Sequence, residues 1–252
     1  MLIDAHVHCG RQDPEPPQDF ETVAGLEREA GVEAAVVTPP VMEVYDRHDP
    51  QFQDNPEWQA RRSRANQYLL DLSQREAVEP RVHALVFIWN DFRIDELDRG
   101  YVGVKWHRHD VEPPYHYEAP ACEAMLRAIV ERGLPILLEE EFRWTLHLLD
   151  RVGPGHPVII PHIGHLNGGY EALEKAGVWA RPNVYSDTSG GRTVAEVQRY
   201  LDDHGPDRLL FGSDYPFCTP LRAAEILADV RLPDADRRLV ESGNVRRLYG
   251  LA

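Results

Sequence analysis

The sequence predicts a single-domain α/β protein, a slightly distorted (β/α)8 barrel, from three observations. Eight short apolar, β-branched segments recur along its 252 residues. The polar stretches after most of them carry helical periodicity, the alternation expected of a parallel sheet with crossover helices. No linker, low-complexity tract or repeat beyond the βα unit divides the chain, and eight such units suit one barrel. The rival architecture, a doubly wound open sheet, would place a Gly-rich phosphate turn after the first strand. Here the first strand runs into His6-Val7-His8 instead.

In order, the candidate strands are 2–6, 33–38, 82–88, 101–107, 135–139, 158–162, 184–187 and 209–213. Two of the intervening helices are clearly bounded: 118–131, closed by Gly133, and 193–203, closed by Gly205. The proline-rich, charged stretch 39–56 is too long for an ordinary connection. It is expected to cover one mouth of the barrel and to serve as a lid, with 109–117 as a second mouth loop.

Charged residues make up 27% of the chain and the formal net charge is -15, which disfavours a nucleic-acid backbone or an anionic membrane as partner. No apolar run approaches the ~18 residues of a membrane span, and no secretory signal is legible, so a cytoplasmic protein is expected. Cys9, Cys122 and Cys218 lack CxxC spacing and are expected as reduced thiols. Cys9 and Cys218 follow candidate ligands closely, which allows either a place near the site or a buried structural role.

Functional groups of such barrels sit at the C-terminal ends of the strands. Strand one ends in His6 and His8, placed on one face by the period of two; strand four in Lys105 and His107; strand five in Glu139; strand six in His162; and strand eight in Asp214. Six of these seven are conventional transition-metal ligands. His109 shares the face of His107. His83, His147, His156 and His204 fall at strand starts or in helices and are expected at the surface or as caps. Trp106 and Trp144 suit either a pocket wall or the core.

Taken together, Ile3-Asp4-Ala5-His6-Val7-His8, Gly103-Val104-Lys105-Trp106-His107, Leu134-Pro135-Ile136-Leu137-Leu138, Pro161-His162-Ile163-Gly164 and Phe211-Gly212-Ser213-Asp214-Tyr215-Pro216 resemble the amidohydrolase superfamily, closest to its amidohydrolase-2 branch. The resemblance implies that His6, His8 and Asp214 bind a divalent metal, zinc with manganese as the alternative, and that His162 is a catalytic base or a further ligand. Where the family usually has a strand-five histidine this chain has Glu139, followed by Glu140 and Glu141. A carboxylate can ligate in its place, so Glu139 joins the expected metal set, with Glu140 as its competitor. Equally, the three glutamates could simply open the next helix.

The expected chemistry is metal-assisted hydrolysis of an amide, lactone or ester in a small molecule, with Asp214 and His162 catalytic and Lys105, His107, His165 and Arg143 orienting the substrate. Lys105 is expected unmodified rather than carbamylated. The alternatives are a non-oxidative decarboxylase of an unsaturated or aromatic acid on the same site, a TatD-type deoxyribonuclease, and an inactive barrel used for binding. The nuclease is disfavoured by Gly103-Val104-Lys105-Trp106, where such enzymes have a Gly-Glu pair. A homo-oligomer is compatible with the sequence.

Overall fold

The computed structural model describes residues 2–10, 16–76 and 78–251. Eight parallel strands follow one another around a nearly closed barrel: β1 (Leu2–His8), β2 (Val32–Thr38), β3 (Arg81–Phe87), β4 (Gly103–His107), β5 (Ile136–Glu139), β6 (Val158–Ile160), β7 (Val184–Asp187) and β8 (Leu209–Leu210). The circle closes through the segment after β8. Ala5 N donates to Phe211 O at 2.9 Å, Asp214 N to His6 O at 2.7 Å and His8 N to Tyr215 O at 3.0 Å.

Helices cover the outside and one end of the barrel: α1 (Phe20–Glu29), α2 (Pro56–Ser73), α3 (Pro120–Arg132), α4 (Phe142–Val152), α5 (Tyr170–Lys175), α6 (Val194–His204), α7 (Pro220–Asp229), α8 (Asp234–Arg238) and, at that end, α9 (Asn244–Tyr249). Their boundaries follow local chemistry. Asp19 and Asn55 cap α1 and α2, Pro56 occupies the first turn, and Thr193 with Glu196 forms a reciprocal capping box. Gly133 ends α3 at φ 65°, a left-handed conformation that suits glycine.

Buried side chains separate into two sets. One lies between strands and helices and includes Val7, Leu69, Met125, Leu148 and Ile226. The other fills the bore with Ile3, Ala5, Val36, Leu85, Leu137, Ile159 and Leu210, closed by Val245 and Tyr249 of α9. In β1 the register passes from Asp4↔Ala35 to Val7↔Val37, three residues against two. That extra residue switches the alternation. Ile3 and Ala5 point into the bore, Val7 joins the outer layer, and His6 and His8 are left facing the mouth.

Several boundaries differ from those expected. β8 is two residues, not 209–213, because Phe211 N donates to Val240 O, Gly212 N to Thr188 Oγ1 and Ser213 N to Asp4 Oδ1 rather than to a strand. β6 stops at Ile160, before the turn of Pro161–His162. Stretch 39–56 is irregular apart from a 3-10 turn at Val41–Glu43, and Tyr45 within it is fully buried. His156 is buried, not at the surface. No helix among the described residues is long and apolar enough to cross a membrane.

Candidate metal centre and active site

The site begins with an unusual backbone. Four non-glycine residues among those described have positive φ, and three lie here: His162 at 56°, Ile163 at 53° and Asp214 at 61°. Such conformations cost free energy and persist where surrounding contacts fix them. Asp187, the last residue of β7, supplies much of that fixing. Its Oδ1 accepts from His162 N at 2.8 Å, from Ser189 N at 3.1 Å and from the Ser189 hydroxyl. Gly190 is required by proximity, since a Cβ there would stand 2.7 Å from His162 Nδ1.

Three imidazoles are braced alike. His6 Nδ1 donates to Asp187 Oδ2 at 3.2 Å, His8 Nδ1 donates to Pro39 O at 3.2 Å, and His162 Nδ1 lies 2.8 Å from Ser189 Oγ. With the Ser189 hydroxyl donating to Asp187, its oxygen is left to accept from His162. The network thus assigns the proton to Nδ1 in each ring and turns each Nε2 toward one space. Asp214 Oδ1 is 3.5 Å from His6 Nε2 and 3.3 Å from His8 Nε2; its Oδ2 is 3.7 Å from His162 Nε2.

Across this space stand the residues of β4 and β5. Lys105, fully buried, donates to His6 Nε2 at 3.0 Å and pairs closely with Glu139 Oε1. Glu139 Oε2 faces His107 Nε2 at 3.3 Å, His109 Nε2 at 3.4 Å and His162 Nε2 at 3.5 Å. Glu112 forms an outer anchor, accepting from Tyr45 Oη at 2.6 Å and from Arg47 Nε at 2.7 Å.

Charges in this enclosure titrate far from their ordinary values. Burial alone would raise the Glu139 carboxyl, but Lys105 and His107 hold it well below the usual carboxylate range. Asp214 is likewise held low, against burial, by His6 and His162. Burial drives His107 down to about 4 and lowers His6, with Lys105 adding to the latter. His162 goes the other way: burial opposes its charge, yet Asp214, Glu139 and Asp187 raise it to about 9.

Two groups of buried donors have the mutual spacing of a cation site, His6–His8–Asp214 and His6–Glu139–His162. Asp214 Oδ1 and His162 Nε2 are both buried and lack a hydrogen-bond partner. The orphaned Asp214 oxygen, lined up with the Nε2 lone pairs of His6 and His8, suits a divalent ion bound by nitrogen and carboxylate oxygen, while His162, raised to about 9, carries a proton on Nε2 as well as Nδ1. A third group, His107–His109–Glu112, lies further out.

The seven strand-end residues singled out in the sequence therefore do converge. Glu139 and Glu140 separate cleanly, because Glu140 turns away and pairs with Arg108 and with Tyr117 Oη. Arg143 does not join them: it is exposed on α4, its guanidinium 4.7 Å above the Trp144 ring. His165 is exposed and lines a side cavity of about 180 Å³ with His162, Arg192 and Tyr170. Trp106 packs away from the mouth against Tyr115, and Cys9 and Cys218 are buried free thiols. Sequence reasoning gave Asp187, Tyr45 and Glu112 no role. For Asp187 a signal existed, a carboxylate at a strand end, but nothing distinguished a brace from a ligand.

Comparison with known proteins fits this geometry. The amidohydrolase family model of the amidohydrolase-2 group matches residues 3–251. A curated γ-resorcylate decarboxylase from Polaromonas is 32% identical over 111 residues, which span 41% of this chain but only 34% of that protein's length. Among solved structures, 2,6-dihydroxybenzoate decarboxylase from Rhizobium superposes with TM-score 0.75 at 17% identity, covering 99% of this chain and 98% of that one. A dihydroxybenzoic acid decarboxylase from Polaromonas with bound manganese gives 0.74 at 16% identity, covering 99% and 97%.

Proposed function

Taking as premise that the chain belongs to the amidohydrolase-2 family, we propose that it is a metal-dependent non-oxidative decarboxylase of a small aromatic or unsaturated acid. One observation carries the reading: His162 is braced at Nδ1 by Ser189, while its Nε2 stands between two carboxylates and faces the His6–His8–Asp214 group. An imidazole so placed keeps its proton and points it at whatever binds there, which suits a general acid better than a base. The match to a γ-resorcylate decarboxylase supports the same reading.

His6, His8 and Asp214 would hold the ion, zinc or manganese, with Glu139 and His162 beside them. A divalent ion there supplies Lewis-acid charge that binds and polarises a substrate oxygen. His162 Nε2 delivers a proton to the ring carbon as the carbon–carboxylate bond breaks; that bond's electron pair forms the new C–H bond, and CO2 leaves. Asp187 and Ser189 hold the imidazole in line during the transfer. His107 and His109 line the mouth above Glu139, and His165 with Arg192 offers a place for a second polar substituent.

Hydrolysis of a lactone, ester or amide is the second reading, favoured by Asp214 Oδ1, an unpartnered carboxylate oxygen beside His8 that could take a proton from water. The two separate in one assay. Metal-loaded protein is offered 2,6-dihydroxybenzoate and related hydroxybenzoates, and in parallel a panel of lactones, esters and amides. Release of CO2 with loss of the acid's absorbance supports decarboxylation; turnover confined to the second panel would replace it with hydrolysis.

A further inference from the structure

Arg47, in the stretch between β2 and α2, reaches the turn after β4. Its Nε donates to Glu112 Oε1 at 2.7 Å, and its Nη2 pairs closely with the same oxygen and lies 3.2 Å from His109 Nδ1. Glu112 is buried and is held in place by Tyr45 Oη at 2.6 Å and by the His109 backbone N–H at 3.0 Å. A guanidinium has five donors and no acceptor. A proton on His109 Nδ1 would face another donor, so Nδ1 accepts from Arg47 and the ring's single proton lies on Nε2. That atom is 3.4 Å from Glu139 Oε2, on the side of the candidate metal centre. The ring is also the accessible one. The His109 side chain is 27% exposed, against at most 4% for His6, His8, His107 and His162.

We propose that Arg47 is a positioning residue: it fixes His109 as the neutral Nε2–H tautomer, and that N–H takes an acceptor oxygen of the substrate at the mouth. This rests on the decarboxylase reading above and adds a selectivity to it. A ring whose outward nitrogen is locked as a donor cannot accept there. The group it meets is a carboxylate, phenolate or carbonyl oxygen rather than a protonated amine. The 3.4 Å contact to Glu139 is long for an N–H···O bond, which leaves the proton available to a substrate oxygen entering beside it. Tyr45 and Arg47 grip Glu112 from the same stretch of chain, so the turn carrying His109 is held against residues 39–56. The long connection after β2 thereby acts on the site without touching the substrate.

The test reads the ring before it reads turnover. Zinc-loaded full-length protein is labelled with nitrogen-15 at histidine, and the His109 signals are assigned by their loss in His109→Gln. At neutral pH the wild type and Arg47→Lys, which still donates, should carry the ring proton on Nε2. Arg47→Met should show Nδ1 protonated as well, through tautomer exchange or a second proton. A wild-type His109 protonated on Nδ1 would overturn the proposal, as would a ring unchanged by Arg47→Met. In parallel, Arg47→Met should raise KM ~10-fold for the acid that the wild type decarboxylates, with kcat within ~3-fold, and Arg47→Lys should recover most of that loss. A shifted tautomer with unchanged KM would refute the substrate contact. A wild type that releases CO2 from no acid sinks the decarboxylase reading alone. The ring's tautomer then still judges Arg47, and KM is read on whichever lactone, ester or amide is turned over. Should Arg47→Met not fold, the wild-type ring decides: a proton on Nε2 alone supports the proposal, and one on Nδ1 refutes it.

Discussion

At the closed end of the bore, Ile3, Leu85, Leu137, Ile159 and Leu210 pack against Val245 and Tyr249 with no charged group among them. At the open end four of these strands, or the turns directly after them, present His6, Glu139, His162 and Asp214, with Lys105 of β4 beside them, all buried as well. Two to four residues of chain, roughly 7–13 Å at ~3.3 Å per residue, separate one from the other. The contrast teaches how labour is divided. The apolar end holds the circle of strands together, while the open end confines like and unlike charges that would be far more comfortable in water. Substitutions at the two ends should therefore fail in opposite ways.

The largest effect is expected at the open end. Asp214→Ala removes the carboxylate that faces all three braced imidazoles and should lower turnover at least ~10³-fold. Its melting temperature should stay within a few degrees of wild type, since the circle of strands does not depend on that side chain. Retained turnover would show that the mouth is not the active site. Leu85→Ala at the closed end should do the reverse, costing ~2–5 kcal/mol and ~5–15 °C of melting temperature. Rate per folded molecule should stay within ~3-fold; a large loss would mean the two ends are coupled rather than separate.

Between the ends stands Asp187, which contacts His6 directly and would reach a bound ion only through that ring. Asp187→Asn loses the charge that fixes His6 Nδ1 and the negative partner of Ser189, while keeping the side chain's shape. Metal affinity by calorimetry should fall ~10- to 100-fold, the range for groups that orient a ligand rather than bind the ion. An unchanged affinity would remove the argument that Asp187 sets the His6 tautomer.

How far the two ends were legible in the sequence follows from the same contrast. The apolar strands and their polar terminal residues repeat every βα unit, so both the barrel and the convergence of His6, His8, Glu139, His162 and Asp214 could be read directly. What could not be read depends on contacts far apart in sequence. The extra residue in β1 decides which side chains enter the bore, and it shows only against β2. Lys105 and Glu139 lie 34 positions apart, and their pairing needs β4 and β5 side by side. The end of β8 is set by Asp4 and Thr188, which take its backbone donors.

A smaller effect lies outside the bore, behind β1. Glu27 of α1 is fully buried, and burial together with the charge of nearby Asp4 and a side-chain hydrogen bond to it raises its carboxyl well above the ordinary range. The folded chain thus keeps a proton that the unfolded chain releases. Stability from this group is full below the ordinary carboxylate range and declines as pH rises toward the raised value. Glu27→Gln keeps a neutral side chain of the same size at every pH. Urea melts should find it within ~1 kcal/mol of wild type at pH 5 and ~1–3 kcal/mol more stable at pH 8. Parallel profiles for the two proteins would mean that Glu27 is ionised in the fold.

The smallest effect is expected at Arg143, which the sequence placed among the substrate-orienting residues. Helix α4 begins at Phe142 and carries the arginine out to solvent, where it lies over Trp144; that ring stacks on Tyr117 at 4.4 Å. An exposed cation–ring contact is worth ~0.5–1 kcal/mol. Arg143→Ala should accordingly lower the melting temperature by a few degrees at most and leave KM and kcat within twofold. A tenfold rise in KM would show instead that the charged end of the bore extends past β5 onto α4, and that the mouth closes around substrate by moving this helix's first turn.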